Sequence, residues 1–162
     1  MHTNRTLQLS SGVTFENATG GSGNDTLVGN SLHNILVGND GNDHLGGTAG
    51  RDILIGGNGV DTLNGGSDDD LLIAGRTTSD GNLSNLNDLR TAWISADLYS
   101  TRIASLRAGV GISGVSLKAT INVLDDGGAD DVLTGGTGTD WFFRALDDVI
   151  IDLFAGEILD LI

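Results

Sequence analysis

Eight side chains recur at nine-residue spacing and share a chemistry. Asp25, Asn34, Asp43, Asp52, Asp61 and Asp70 run without a gap, and Asp131 and Asp140 resume the series further along. Two residues after each stands a large apolar side chain: Leu27, Leu36, Leu45, Leu54, Leu63, Leu72, Leu133 and Phe142. Glycine-rich stretches precede them. Gly20-Gly21-Ser22-Gly23-Asn24-Asp25-Thr26-Leu27-Val28 is the cleanest copy of a template G-G-x-G-x-D-x-U-x, in which U is large and apolar. An ionised carboxylate is a hard oxygen donor. A loop that adds backbone carbonyls to it suits a hard cation with six or more oxygen ligands, calcium above all. Turn chemistry without an ion is the competing reading, since aspartate oxygens also accept backbone N–H groups in tight turns. The ion reading accounts for the glycine and aspartate columns together.

The bulk numbers agree with ion binding. The 162-residue chain has 26 glycines and neither proline nor cysteine, and its formal net charge is −14. Length of this order supports one domain with a core. Glycine at this level without proline excludes collagen, and the fixed period argues against plain low complexity. Nearly all the acid is aspartate, the exceptions being Glu16 and Glu157. A merely solvated acidic face would use glutamate freely. The charge speaks against nucleic acid or an anionic membrane as partner. Absence of cysteine removes disulfides and thiolate metal sites. No apolar run approaches membrane-spanning length, and residues 1–19 lack a signal-peptide pattern. The chain reads as a piece of a larger protein with upstream domains, or as one exported without an N-terminal signal.

The elements that would position these residues follow from the template. Positions one to six form a turn in which glycine permits positive φ and close stacking. Positions seven to nine form a short strand with position eight pointing inward. One turn and strand cannot bury its own apolar side, so two make a coil of about 18 residues, and coils stack around the apolar column. Loops starting at 20, 38 and 56 then share one edge, and loops starting at 29, 47 and 65 share the other. Outward positions on the first sheet are Thr26/Val28, His44/Gly46 and Thr62/Asn64. On the second they are Ile35/Val37, Ile53/Ile55 and Leu71/Ile73, an aliphatic patch that something must cover.

The chain divides accordingly into an N-terminal lead or cap (1–19), repeats (20–73), an insert (74–125), resumed repeats (126–143) and a C-terminal cap (144–162). The insert supplies the cover. Residues 87–108 read as one helix, with Asn87 as N-cap, Asp88 near its positive end, Arg102 and Arg107 near its negative end and Gly109 as terminator. Leu89, Trp93, Ala96, Ile103 and Leu106 form its apolar stripe, with Leu86 just before the cap. Gly109–Gly114 reads as a flexible link and Val115–Leu124 as a strand. Resumption of the array places 126–131 on 56–61, and 135–140 on 65–70. In the tail, 149–154 and 158–162 read as two short strands closing the end of the stack.

Gly20–Ile73 and Asp126–Phe143 resemble the RTX, or hemolysin-type, calcium-binding repeats found in C-terminal regions of secreted bacterial proteases, lipases, toxins and adhesins. Asp148–Leu161 resembles the capping segment that follows such repeats. The resemblance implies an all-β fold with one helical insert: a right-handed parallel β-roll of 18-residue coils, the helix packed on one outer sheet face, and C-terminal capping strands. It also implies type I secretion, an extracellular or cell-surface location and about five or six calcium ions, each held between successive same-side loops. The lower loop gives the carbonyls of positions two and four, the upper those of one and three, and each its Asp. The first site would use Gly21, Gly23 and Asp25 with Gly38, Asp40 and Asp43. The second would use Asn39, Gly41 and Asp43 with Gly56, Asn58 and Asp61. The third would use Gly57, Gly59 and Asp61 with Asp126, Gly128 and Asp131. On the other edge, Thr48, Gly50 and Asp52 would join Gly65, Ser67 and Asp70, and Gly66, Asp68 and Asp70 would join Gly135, Thr137 and Asp140. The loop Gly29-Asn30-Ser31-Leu32-His33-Asn34 departs from the pattern: Leu32 replaces a glycine and Asn34 an aspartate, which makes its site weak or empty.

Catalysis finds little support. His2, His33 and His44 are scattered, whereas a transition-metal site needs clustering. No H-E-x-x-H is present, and Gly111-Ile112-Ser113-Gly114-Val115 is not a nucleophile elbow. Asp147/Asp148 sit in a loop before a strand. The reading is a non-enzymatic calcium-binding module that folds on calcium and stabilises or caps the C-terminal region of a secreted or surface protein. The alternatives are a calcium-dependent adhesion domain with its own ligand, or the noncatalytic tail of a secreted hydrolase.

Overall fold

A computed structural model describes residues 4–9, 17–111, 114–118 and 122–162. Expectations for His2, for the middle of the Gly109–Gly114 link and for 119–121 within the expected strand lie outside the described residues. In chain order the elements are β1 (Thr6–Gln8), β2 (Asn17–Thr19), β3 (Thr26–Val28), β4 (Ile35–Asp40), β5 (His44–Ala49), β6 (Ile53–Asn58), β7 (Thr62–Ser67) and β8 (Leu71–Ile73). There follow β9 (Arg76–Thr77), α1 (Leu83–Trp93), α2 (Tyr99–Ala108), β10 (Val123–Leu124), β11 (Val132–Thr137), β12 (Trp141–Arg144), β13 (Val149–Ile150) and β14 (Ile158–Leu161).

Successive repeats go to alternate sheets. One sheet runs β1-β3-β5-β7-β11-β13 and the other β14-β12-β8-β6-β4-β2, parallel throughout. The register keeps the template in phase. Leu27 pairs with Leu45 and Leu45 with Leu63, and Leu63 pairs with Leu133 across the insert. On the other sheet Leu36, Leu54, Leu72 and Phe142 are neighbours in the same way. These position-eight side chains form one buried cluster between the sheets. Each sheet contributes one such side chain per repeat strand, so this interior is built of two facing columns. β1 and β2 add a pair of strands before the repeats, and β13 and β14 are the last strands of the two sheets.

The second core lies outside the coil. Ile35, Val37, Ile53, Ile55, Leu71, Ile73, Trp141 and Phe143 meet Leu86, Leu89, Trp93, Ile103 and Leu106 in one buried cluster. The aliphatic face is therefore covered by the insert. The opposite sheet leaves His44, Thr62 and Asn64 exposed.

The insert differs from the expected single helix. Its cap is Asn82, whose side chain accepts the Asn85 N–H at 3.1 Å, and Asn87 lies inside α1. The helix stops at Trp93 and restarts at Tyr99, leaving Ala96 exposed in the link. A straight 22-residue helix would span ~33 Å, whereas six strands about 4.8 Å apart span only ~24 Å. Two shorter helices keep their apolar residues on the sheet. Ser95 and Asp97, which favour turns over helix interiors, occupy the break and bond each other at 3.1 Å. Arg102 then serves α1 rather than its own helix. It donates to the Trp93 carbonyl at 2.9 Å, pairs with Asp69, and lies 4.7 Å from the centroid of the Trp93 ring. Among the described residues of the strand expected over 115–124, β10 is the strand formed, and it pairs antiparallel with β9 at the root of the insert. The Asn122 and Val123 N–H groups both donate to the Lys118 carbonyl, and Val115 and Leu117 join the core beside the helices. No described helix is long and apolar enough to cross a membrane.

Trp93 is fully buried and Leu98 is 77% exposed. Trp93→Ala is expected to cost ~3–5 kcal/mol of unfolding free energy in denaturant titrations with calcium present, and Leu98→Ala within about 0.5 kcal/mol of none. Equal losses would contradict the docking of α1.

Candidate metal centre

The nine-residue column becomes two hydrogen-bonded ladders of carboxylates. On one edge the N–H of Asp25 donates to Asp43 Oδ1 at 2.6 Å, that of Asp43 to Asp61 Oδ1 at 2.7 Å, and that of Asp61 to Asp131 Oδ1 at 2.6 Å. On the other, Asn34 donates to Asp52 Oδ1 at 2.7 Å, Asp52 to Asp70 Oδ1 at 2.8 Å, and Asp70 to Asp140 Oδ1 at 2.7 Å. Rungs lie 18 residues apart, except across the insert, where the separation is 70. Each carboxylate thus fixes the loop below it. All these side chains are buried.

The second oxygen separates interior rungs from end rungs. Oδ2 of Asp43, Asp52, Asp61, Asp70, Asp131 and Asp140 is buried and meets no hydrogen-bond donor. End rungs close on themselves. Asp25 takes the Arg5 and Gly21 N–H groups, both at 2.6 Å. Asp148 takes those of Asp131 at 3.1 Å and Ala145 at 2.6 Å. Asn34 accepts the Asn30 N–H at 2.8 Å and donates to Asn30 Oδ1 at 3.4 Å. Turn chemistry without an ion therefore accounts for Asp25, Asn34 and Asp148 and leaves six interior oxygens unexplained. Among the described residues histidine offers no competing site: His33 Nδ1 accepts the Arg51 N–H at 2.8 Å, and His44 is exposed.

Backbone carbonyls line the same gaps. Position two has positive φ at Asn39, Thr48, Gly57, Gly66, Gly127 and Gly136, and position four at Gly41, Gly50, Gly59, Asp68 and Gly138. Thr48, at 86°, holds a conformation a β-branched residue rarely adopts. Loops then stack so tightly that a Cβ at Gly57 would lie 1.9 Å from Asn39 O, and one at Gly59 2.3 Å from Gly41 O. Position-two and position-four carbonyls thus face the loop above. Position-one carbonyls face the loop below: Gly38 O abuts Gly20 and Gly56 O abuts Gly38. Among the described residues no three acidic or histidine side chains converge on one point. Two carboxylates per gap with carbonyls making up the rest is instead the donor set of a hard cation. The orphaned oxygens and the carbonyls beside them match the chemistry calcium would need.

One expected donor is displaced. The position-one carbonyl facing Gly56 is that of Ala74, and Gly57 N–H donates to Ala74 O at 3.3 Å and Gly75 O at 3.0 Å. Asp126 uses its side chain instead, accepting the Gly59 N–H at 3.1 Å. The insert leaves after Gly75 and returns at Leu124, which abuts Gly75, so it splits a loop in two. Ala74 stands 18 residues after Gly56, a signal the period itself carried. Asp148, outside the repeat template, was missed because its neighbours are not glycines.

Burial raises the carboxyl pKa of Asp52, Asp61 and Asp131 to about 8, of Asp140 to about 7 and of Asp70 to about 10. Desolvation is the leading cause, and the neighbouring carboxylates add to it. A group raised above its unfolded value near 3.8 stabilises the fold below that value, and the contribution is lost as pH climbs through the folded pKa. In chelator, β content measured by circular dichroism is therefore expected to fall as pH rises from about 4 to 8. A rise across that window would contradict the buried ladders.

The RTX calcium-binding nonapeptide repeat, in four copies, matches residues 19–54, 46–76 and 119–151. No curated protein and no solved structure matches the chain. The family match covers more than half of the residues and both ladders, with a break over the insert, and the chain belongs to the RTX calcium-binding nonapeptide repeat family.

Proposed function

We propose that this chain is a right-handed parallel β-roll module that folds on binding calcium and stabilises or caps the C-terminal region of a larger secreted or surface bacterial protein. The six buried, partnerless aspartate oxygens carry this reading. Each would ligate calcium in the gap between its loop and the next, with the carbonyls that line the same gap. Asp43 and Asp61 stand between two gaps and would each serve two ions. In the gap above Gly56–Asp61, Ala74 would take the place first given to Asp126. The other donors stand as named above, for five or six ions in all. In the gap above Asn34, the local Asn30–Asn34 bond does without an ion, which makes that site the weakest. β13 and β14 would cap the stack. Calcium supplies the positive charge that a net −14 chain lacks. The module would be noncatalytic and extracellular, with upstream domains of a parent protein as its partners.

Far-UV circular dichroism should change from disordered to β-rich as calcium is added, with magnesium a poor substitute because it demands smaller octahedral geometry. An equally folded chain in chelator at neutral pH would sink the proposal. Asp61→Ala is expected to raise the calcium midpoint by about tenfold or more, which corresponds to ~1.4 kcal/mol. Asn34→Ala should move it by less than about threefold, under ~0.7 kcal/mol. Equal shifts would contradict the assignment of ligands.

A further inference from the structure

The second ladder does not end at the last repeat. β12 pairs with β14 so that Trp141 faces Ile158, just as β8 pairs with β12 so that Leu71 faces Trp141. Asp70 precedes Leu71, Asp140 precedes Trp141, and Glu157 precedes Ile158. Glu157 therefore occupies the rung above Asp140, although no template residue surrounds it. The Ile158 N–H donates to the Asp140 carbonyl at 3.1 Å, which ties the two rungs together.

The side chains at this rung share one feature with the interior rungs, a buried oxygen without a donor. Asp140 is fully buried and its Oδ2 has no partner. Glu157 Oε2 closes its own turn on the Phe154 N–H at 2.6 Å, and Glu157 Oε1 is buried without a partner. The two carboxyls stand within hydrogen-bonding reach. Asp152 seats the loop from outside, accepting the Gly135 and Gly136 N–H groups at 2.8 Å each. The arginines of this end are engaged elsewhere: Arg102 with Asp69, Arg107 with Asp160, and Arg144 with the carbonyls of Ala145, Leu146 and Asp148. Two carboxylates facing each other out of water call for a cation.

We propose that Asp140 and Glu157 form a further calcium site that joins the last repeat to the C-terminal tail. The site rests on the calcium reading of the repeats and adds a ligand from outside them. It makes Asp140 a bridging residue like Asp43 and Asp61, and it makes the docking of β14 dependent on calcium. Asp152 is a positioning residue for the loop.

The test is calcium stoichiometry of the full chain by equilibrium dialysis, with circular dichroism at saturating calcium alongside. In Glu157→Gln the side-chain oxygen can still accept the Phe154 N–H, so the turn is kept. That variant should bind one ion fewer with its β-rich spectrum unchanged. Glu157→Lys places an ammonium beside Asp140 and should also bind one ion fewer. It guards against misfolding of the first variant. Wild-type stoichiometry and affinity in both variants would overturn the site while leaving the repeats as calcium ligands. Absence of calcium binding in the wild type would overturn the module's proposed function itself.

Discussion

A carboxylate oxygen buried without a donor costs about 1–3 kcal/mol, and six such oxygens are buried at successive rungs here. Each aspartate uses one oxygen to hold the loop beneath it and leaves the other to the gap. The first bond sets the register of both sheets, because it fixes where each turn begins. On the proposed reading the second oxygen sets the condition under which the stack is stable, since a row of like charges favours a counter-ion between its members. The apolar interior takes one position-eight side chain from each repeat strand.

A second core, outside the coil, supplements it. The helices bury the aliphatic face of one sheet, and Arg102 joins α1, α2 and the loop of Asp69 through a carbonyl, two rings and a carboxylate. Asp69 in turn accepts the Thr139 N–H at 3.0 Å, linking the repeats on either side of the insert. The insert is thus fastened to the loops on both sides of the break as well as to the sheet.

Much of this was legible in the residue order because the repeat is strict. Phase alone placed Asp131 above Asp61 and Asp140 above Asp70, and the outward Ile and Leu pairs of alternate repeats foretold which face would be covered. Where the template lapses, legibility lapsed with it. The break in the helix depends on the width of the sheet beneath, a quantity no local pattern expresses. Ala74 looked like the first residue of an insert because its side chain carries no template signature, yet its carbonyl faces Gly56 and its N–H donates to the Phe143 carbonyl at 2.9 Å. The lead before the repeats lacks the glycine and aspartate columns, so nothing in its spacing revealed β1 and β2. Glu157 hid for a related reason: a longer acid, set in a turn without the usual glycines, reaches the same position by register.

The insert divides a loop rather than joining two finished coils, and its two ends meet at the short β9–β10 ladder. For the chain this is a question of closure entropy. Bringing Asp131 to Asp61 closes 70 residues where its neighbours close 18. The cost of closure grows by about 0.6 kcal/mol per doubling, so this rung carries an extra ~1.2 kcal/mol. That sum is small beside what the helices bury, so the stack tolerates the detour at equilibrium. Kinetically it is the slow rung, since non-local closure must come before its contacts form. A folding front that advances coil by coil would wait there until the helices had docked.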